Sequence, residues 1–241
     1  MELISMGKNN KGGRQLLKSR KEELLVLNNP KSPVAEAFRQ IRTNLSFISP
    51  DEPLQTVLFT SSAPSEGKSS VLANLAVSMV QNGNKVIIID ADLRKPMQHK
   101  FFEMTNFNGL SNVLSGEIDF ATGLRETGID GLKLISAGSI PPNPAELLAS
   151  RKMEEILAKA RAEADLVFID TPPVLAVTDA VILASKVDGT LLVVASHQTE
   201  QKLLLKAKEL LVNARANILG VILNKYPVHQ LNRYHYYHYY G

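Results

Sequence analysis

The chain has 241 residues, 44% hydrophobic and 21% charged, with a formal net charge of +3 and no cysteine. Against a guide figure of about 150 residues per domain, this length allows one large domain or two small ones, able to fold without a disulfide or structural metal. The missing cysteine excludes thiol nucleophiles, Cys-ligated zinc and iron–sulfur clusters, and is compatible with a reducing compartment.

The charge sits unevenly. Met1–Lys21 carries six cations (Lys8, Lys11, Arg14, Lys18, Arg20, Lys21) against Glu2, a local +5 that leaves −2 for the rest of a +3 chain. The basicity therefore belongs to one end, and a nucleic-acid partner is not expected. Residues 1–29 read as a basic flexible N-terminal tail. Such a tail either solubilises the chain or is drawn to an anionic membrane surface or acidic partner, at about 1 kcal/mol per cation. No apolar run approaches the ~18 residues of a membrane helix, so the chain is not expected to cross a membrane by itself.

In chain order, Ser32–Ile48 has helical spacing, with Val34, Phe38, Ile41, Leu45 and Ile48 on one face. Glu36 and Arg39 fall on the opposite side, with Arg42 at the border. A solvated salt-bridged face and a self-association surface both fit that pattern. Gln55–Thr60 is a β-branched strand, and Gly67–Gln81 has helical apolar spacing. Lys85–Ile89, Leu132–Ile135, Leu166–Ile169, Thr190–Ala195 and Ile218–Leu223 are continuous apolar runs. Helical stretches at Pro144–Ala162, Asp179–Ser185 and Glu200–Asn213 lie among them. Apolar strands without alternation, separated by helices, predict a doubly wound, mostly parallel α/β sheet covered on both faces.

Ser61–Ser70 (SSAPSEGKSS) lies between a predicted strand and a predicted helix. This is the P-loop arrangement, with Ser62 in place of its usual first glycine. Loop amides and the helix dipole would cradle phosphate; Ser65, Glu66, Gly67, Lys68, Ser69 and Ser70 are the candidate nucleotide-binding residues. Lys68 would reach the β- and γ-phosphates, and the Ser69 hydroxyl would bind Mg²⁺. Two further motifs end apolar strands, where ligands bind in open α/β sheets. IIIDADLR (87–94) presents Asp90 and Asp92, and LVFID (166–170) presents Asp170. Asp170 is the first choice for supporting Mg²⁺ beside a triphosphate. Asp90 and Asp92 exceed what the metal alone requires. One of them would take the proton of an attacking hydroxyl and the other touch the metal, and spacing does not say which.

Residues 226–241 hold all six tyrosines, and Tyr234, Tyr236, Tyr237, Tyr239 and Tyr240 crowd into the last eight residues. A segment without core periodicity can present these phenols to an active site of its own or a neighbouring subunit. The reading as an aromatic binding tail stands beside it. His99, His197 and His229 lack metal-ligand spacing, and His235 and His238 read as spacers between tyrosines.

From Pro30 onward the chain resembles the bacterial tyrosine kinases (BY-kinases) of capsule and exopolysaccharide systems. Ser62–Ser69 resembles their Walker A motif, Ile87–Arg94 their Walker A′ and Leu166–Asp170 their Walker B. Pro33–Leu45, with Glu36, Arg39 and Arg42, is similar to their ExxRxxR helix, and Ser139–Leu148 and Gly220–Lys225 are also family-like. The resemblance implies a deviant P-loop NTPase fold over 30–225 and an ATP- and Mg²⁺-dependent protein-tyrosine kinase. It implies autophosphorylation of the tyrosine cluster within the tail 226–241, and ring-like oligomers through Glu36, Arg39 and Arg42. Asn224 is implied near the nucleotide base and Arg94 in the nucleotide site. It also implies a cytoplasmic protein, recruited to the membrane by an activating adaptor of the polysaccharide co-polymerase family, with protein tyrosines as substrates and polysaccharide synthesis and export as the process controlled. Two rivals remain: an ATPase switch of the Min or Par type, and a non-catalytic nucleotide-responsive scaffold. Such switches carry an extra lysine near the start of the loop, where Ser62, Ala63 and Pro64 stand here.

Overall fold

The computed structural model describes residues 20–48 and 54–227. The tyrosines from Tyr234 onward and residues 1–19 of the basic tail lie outside these. The described chain forms a 3₁₀ turn (Arg20–Glu23), then α1 (Leu25–Asn28), α2 (Pro33–Ile48), β1 (Thr56–Ser61), α3 (Lys68–Val80), β2 (Val86–Asp90) and α4 (Gln98–Phe101). There follow α5 (Leu110–Ser115), α6 (Phe120–Gly123), β3 (Arg125–Glu126), β4 (Leu132–Ile135), α7 (Pro144–Ala149) and α8 (Arg151–Glu163). The last are β5 (Leu166–Asp170), α9 (Asp179–Ala184), β6 (Gly189–Ala195), α10 (Gln201–Asn213) and β7 (Ile218–Asn224).

The seven strands pair in the order β3-β4-β2-β5-β1-β6-β7. All pairings are parallel except the two-residue edge strand β3, which is antiparallel to β4. The predicted doubly wound α/β sheet is thus the observed one. Its central strands are buried on both faces, as their unbroken apolar runs require. Two apolar cores follow, one per face. Phe59 and Phe168 stack edge-to-face within one of them, with ring centroids 5.1 Å apart. β1 lies between β5 and β6, so the loop after β1 opens onto the crevice at the carboxyl ends of the strands.

Three expectations change. Pro144–Ala162 is two helices, because Ser150 is extended (φ −66°, ψ 156°) and its hydroxyl donates to the Leu147 carbonyl at 2.6 Å. The short elements between Gln98 and Glu126 carry too few residues for a period to show. The N-terminal boundary also moves. Residues 20–28, expected within a flexible tail ending at 29, pack onto α3, with Leu24 and Val26 buried. Asn74 of α3 clasps them, accepting from the Val26 amide at 3.0 Å and donating to the Glu23 carbonyl at 2.8 Å. On α2, Ala35, Phe38 and Leu45 are buried, but Ile48, expected on that face, is exposed at the last residue of the helix. Among the described residues no helix is long and apolar enough to cross a membrane.

Leu24 distinguishes a packed segment from a loose tail. Leu24→Ala is expected to cost about 2–5 kcal/mol of unfolding free energy in urea titration, as for a buried leucine; a loose tail would give no change.

Candidate nucleotide site

β1 delivers the chain to a loop whose backbone is bent by Ser65 (φ 65°) and Gly67 (φ 90°), after which α3 begins at Lys68. Gly67 is favoured as glycine by its backbone conformation, and any Cβ there would also displace the end of the Asn224 side chain. Its φ is left-handed, and a Cβ there would lie 2.2 Å from Asn224 Nδ2. Having no side-chain oxygen, it also leaves the first amides of a 13-residue helix uncapped. Those donors and the helix dipole make an anion cradle.

The cradle is held from outside. Lys225 Nζ donates to the Ser65 carbonyl at 2.8 Å, and Asn224 Nδ2 donates to the Glu66 carbonyl at 2.9 Å. The buried Glu66 carboxylate accepts from the Ala63 amide at 2.9 Å and from the Thr199 hydroxyl. Of the expected loop residues, Glu66 thus supports the loop's curvature, with its side chain turned to protein rather than to phosphate.

Inside the cradle Lys68 is almost fully buried. Its ammonium donates to Asp92 Oδ2 at 3.1 Å, Asp170 Oδ1 at 3.0 Å and Ser69 Oγ at 3.1 Å. Burial alone would lower the Lys68 pKa, but Asp170 and then Asp92 outweigh it and raise it above the ordinary lysine value. Asp90 and Asp170 are register partners on adjacent strands. Burial first, and the Asp170 charge second, push the Asp90 pKa well above the ordinary aspartate range. One Asp90 oxygen accepts the Met97 and Gln98 amides, at 3.1 and 2.9 Å; the other has no partner among the described residues. Asp92 differs: its second oxygen accepts the Lys95 amide at 2.9 Å, and it lines the open cleft.

That cleft encloses about 620 Å³ between the P-loop, Arg94, the Pro172–Pro173 turn and Asn224. Arg20 and Glu23 of the N-terminal segment form part of its wall. Arg94 lines it too, but two of its guanidinium nitrogens donate to buried Asp179, at 2.9 and 3.0 Å. A second cavity of about 420 Å³ lies at the opposite ends of the strands, near Arg42, Leu54 and Asp165, away from these groups.

The structure therefore brings together Lys68, Ser69, Asp90, Asp92 and Asp170, with Ser65, Gly67, Ser70, Arg94 and Asn224 on the same cleft. Glu36, Arg39 and Arg42 lie apart on α2. There Arg39 donates to Glu36 at 2.8 Å and to the Pro30 carbonyl, and Arg42 donates to the Ser78 carbonyl at 2.8 Å. Sequence reasoning passed over Gln98, Asp179, Thr199, Lys225 and the Arg20–Glu23 wall. Of these only Lys225 lies within a family-like motif, Gly220–Lys225.

A family model described as ParA, NUBPL iron-transfer P-loop NTPase, matches residues 55–240. The tyrosine-protein kinase YwqD of Bacillus subtilis (strain 168) is 42% identical over 228 residues, covering 95% of this chain and 94% of that one. This chain belongs to the bacterial tyrosine kinases. Among solved BY-kinase structures, the kinase domain of the Escherichia coli tyrosine kinase ETK superposes with a TM-score of 0.81. It is 36% identical, over 83% of this chain and 79% of that one. The chimerical protein CapA2B2 gives a TM-score of 0.82 at 40% identity, over 86% and 91%. Nucleotide binding by this BY-kinase follows from its P-loop NTPase family.

Asp90 gives the site a pH signature. Its folded pKa lies above its unfolded value, so its stabilising contribution is complete below about pH 4 and is lost as pH rises toward the folded value. Asp90→Asn removes that titration. Its Tm relative to the parent protein is expected to rise between pH 4 and pH 7; a difference independent of pH would exclude the raised pKa.

Proposed function

We propose that this chain is an ATP-dependent protein-tyrosine kinase that phosphorylates its own C-terminal cluster, Tyr234, Tyr236, Tyr237, Tyr239 and Tyr240, and regulates capsular or exopolysaccharide synthesis and export. The observation that carries this reading is Lys68, held between Asp92 and Asp170 over an uncapped helix N-terminus in a member of this family.

The amides of Gly67–Ser70 bind the phosphates, and Lys68 turns from the carboxylates to the terminal phosphoryl oxygens. That turn frees Asp170 Oδ1 and Asp92 Oδ2. Mg²⁺ suits the donor set, which is oxygen only and hard: Ser69 and Asp170 would hold it, and when bound it neutralises charge on the phosphate oxygens. Among the described residues no group of three His, Cys, Asp or Glu could hold a metal by itself, and phosphate oxygens and water would complete the coordination. Asp92 takes the phenolic proton while the tyrosine oxygen bonds to the γ-phosphorus and the bond to the β-bridging oxygen breaks, releasing ADP. Asp90, buried, instead anchors the turn by accepting the Met97 and Gln98 amides. Each transferred phosphate adds about −1.5 to −2 charge to a cluster without Asp or Glu, which repels neighbouring subunits.

In this reading the protein acts at the cytoplasmic face of the membrane. An adaptor of the polysaccharide co-polymerase family recruits and activates it there, and the α2 residues Glu36, Arg39 and Arg42 join subunits into a ring. A Min/Par-type ATPase shares the fold, but the loop here lacks the extra lysine at Ser62–Pro64.

Incubation with γ-labelled ATP and Mg²⁺, with the candidate adaptor present, is expected to place label on the last eight residues. Lys68→Met is expected to abolish it, by at least about a hundredfold. Free phosphate without labelled protein would establish the ATPase, and bound nucleotide with neither product the scaffold. Glu36 is half exposed, so Glu36→Lys is expected to lower the solution mass from ring to monomer without loss of Tm. An unchanged ring mass would make this face merely solvated.

A further inference from the structure

Gln98 belongs to no motif, yet it touches all three. Its backbone amide donates to Asp90 Oδ2 at 2.9 Å, and its side-chain Nε2 donates to Asp170 Oδ2 at 2.7 Å and to the Ser69 carbonyl at 3.1 Å. Both partners of Nε2 are acceptors, so the orientation of the amide is dictated by its surroundings. The side chain is fully buried, and its remaining atom, Oε1, has no hydrogen-bond partner among the described residues. A buried acceptor without a donor costs free energy that an apolar side chain of the same size would not.

We propose that Gln98 is the positioning residue of the metal site. Its amide holds Asp170 by Oδ2, so that Oδ1, the oxygen Lys68 occupies, faces the phosphates when Lys68 turns away. Gln98 touches neither substrate nor reacting atoms; it acts through Asp170 and Ser69. Outer partners of this kind orient ligands, and their loss costs about 10–100-fold in metal affinity.

The inference rests on the Mg²⁺-assisted reading above, and binding separates the two. Affinity for a fluorescent ADP is measured by titration in EDTA and again in MgCl₂, for the parent chain, Gln98→Met and Gln98→Asn. Met fills the volume without a donor; Asn keeps the amide but is one methylene too short for Asp170. Both are expected to leave the EDTA affinity within about twofold and to reduce the gain on adding Mg²⁺ about tenfold or more. A parent chain that gains nothing from Mg²⁺ overturns the metal reading itself. A parent gain that survives in both variants overturns the role of Gln98 alone, as does an equal loss in EDTA. Failure of both variants to fold assigns Gln98 to stability only, and likewise overturns it.

Discussion

Everything in this site turns on one ammonium group held away from water by carboxylates. Burying a lysine is expensive, and burying the three aspartates around it without a cation would be worse. Lys68 and its partners exist as a set: removing one member of such a buried pair costs about 3–5 kcal/mol because the other is left uncompensated. Three carboxylates around one ammonium nonetheless leave the cluster short of positive charge. That shortage is part of what pushes the Asp90 pKa up, after its burial. In the proposed mechanism that same shortage favours a divalent ion bound together with phosphate.

A second constraint is mechanical. The cradle depends on a backbone that bends through left-handed conformations at Ser65 and Gly67. Such bends persist only where neighbours over-determine them. Here the neighbours come from the far end of the chain: Asn224 and Lys225 grip the carbonyls of Glu66 and Ser65, and Thr199 grips the Glu66 side chain. The residues just before the tyrosine-bearing segment thus belong to the support of the phosphate loop. The N-terminal segment is tied to the same helix through Asn74, which also donates to the Ser70 carbonyl at 2.9 Å.

The fold alone does not distinguish a kinase from an ATPase, since ParA-type sheets host several chemistries. What separates the readings is which oxygen meets the terminal phosphoryl group. Asp92 lies on the cleft, with one oxygen on the Lys68 ammonium and the other on the Lys95 amide, which in the proposed mechanism leaves the first free for a phenol once Lys68 turns away. Asp90, two residues earlier, faces inward and is saturated on one oxygen by backbone amides. Alternation along an extended chain would favour similar roles for residues two apart; the turn after β2 ends that alternation.

How much was legible from sequence depended on whether the signal was local. The unbroken apolar runs fixed the parallel sheet, because a strand buried on both faces leaves no polar side to show. The strand–loop–helix context of Ser61–Ser70 marked the phosphate site, and the strand-ending aspartates marked its crevice, because both motifs are contiguous. The Leu24–Leu27 run was hidden in a basic segment, and its packing needs Asn74, some fifty residues away. Gln98, Asp179 and Thr199 were invisible for the same reason: an amide, a carboxylate and a hydroxyl acquire meaning only from partners that the sheet order brings alongside. Local chemistry marked the phosphate loop and its strand-end aspartates; long-range packing decided which aspartate lines the cleft and what holds the others still, because those contacts join residues far apart in the chain.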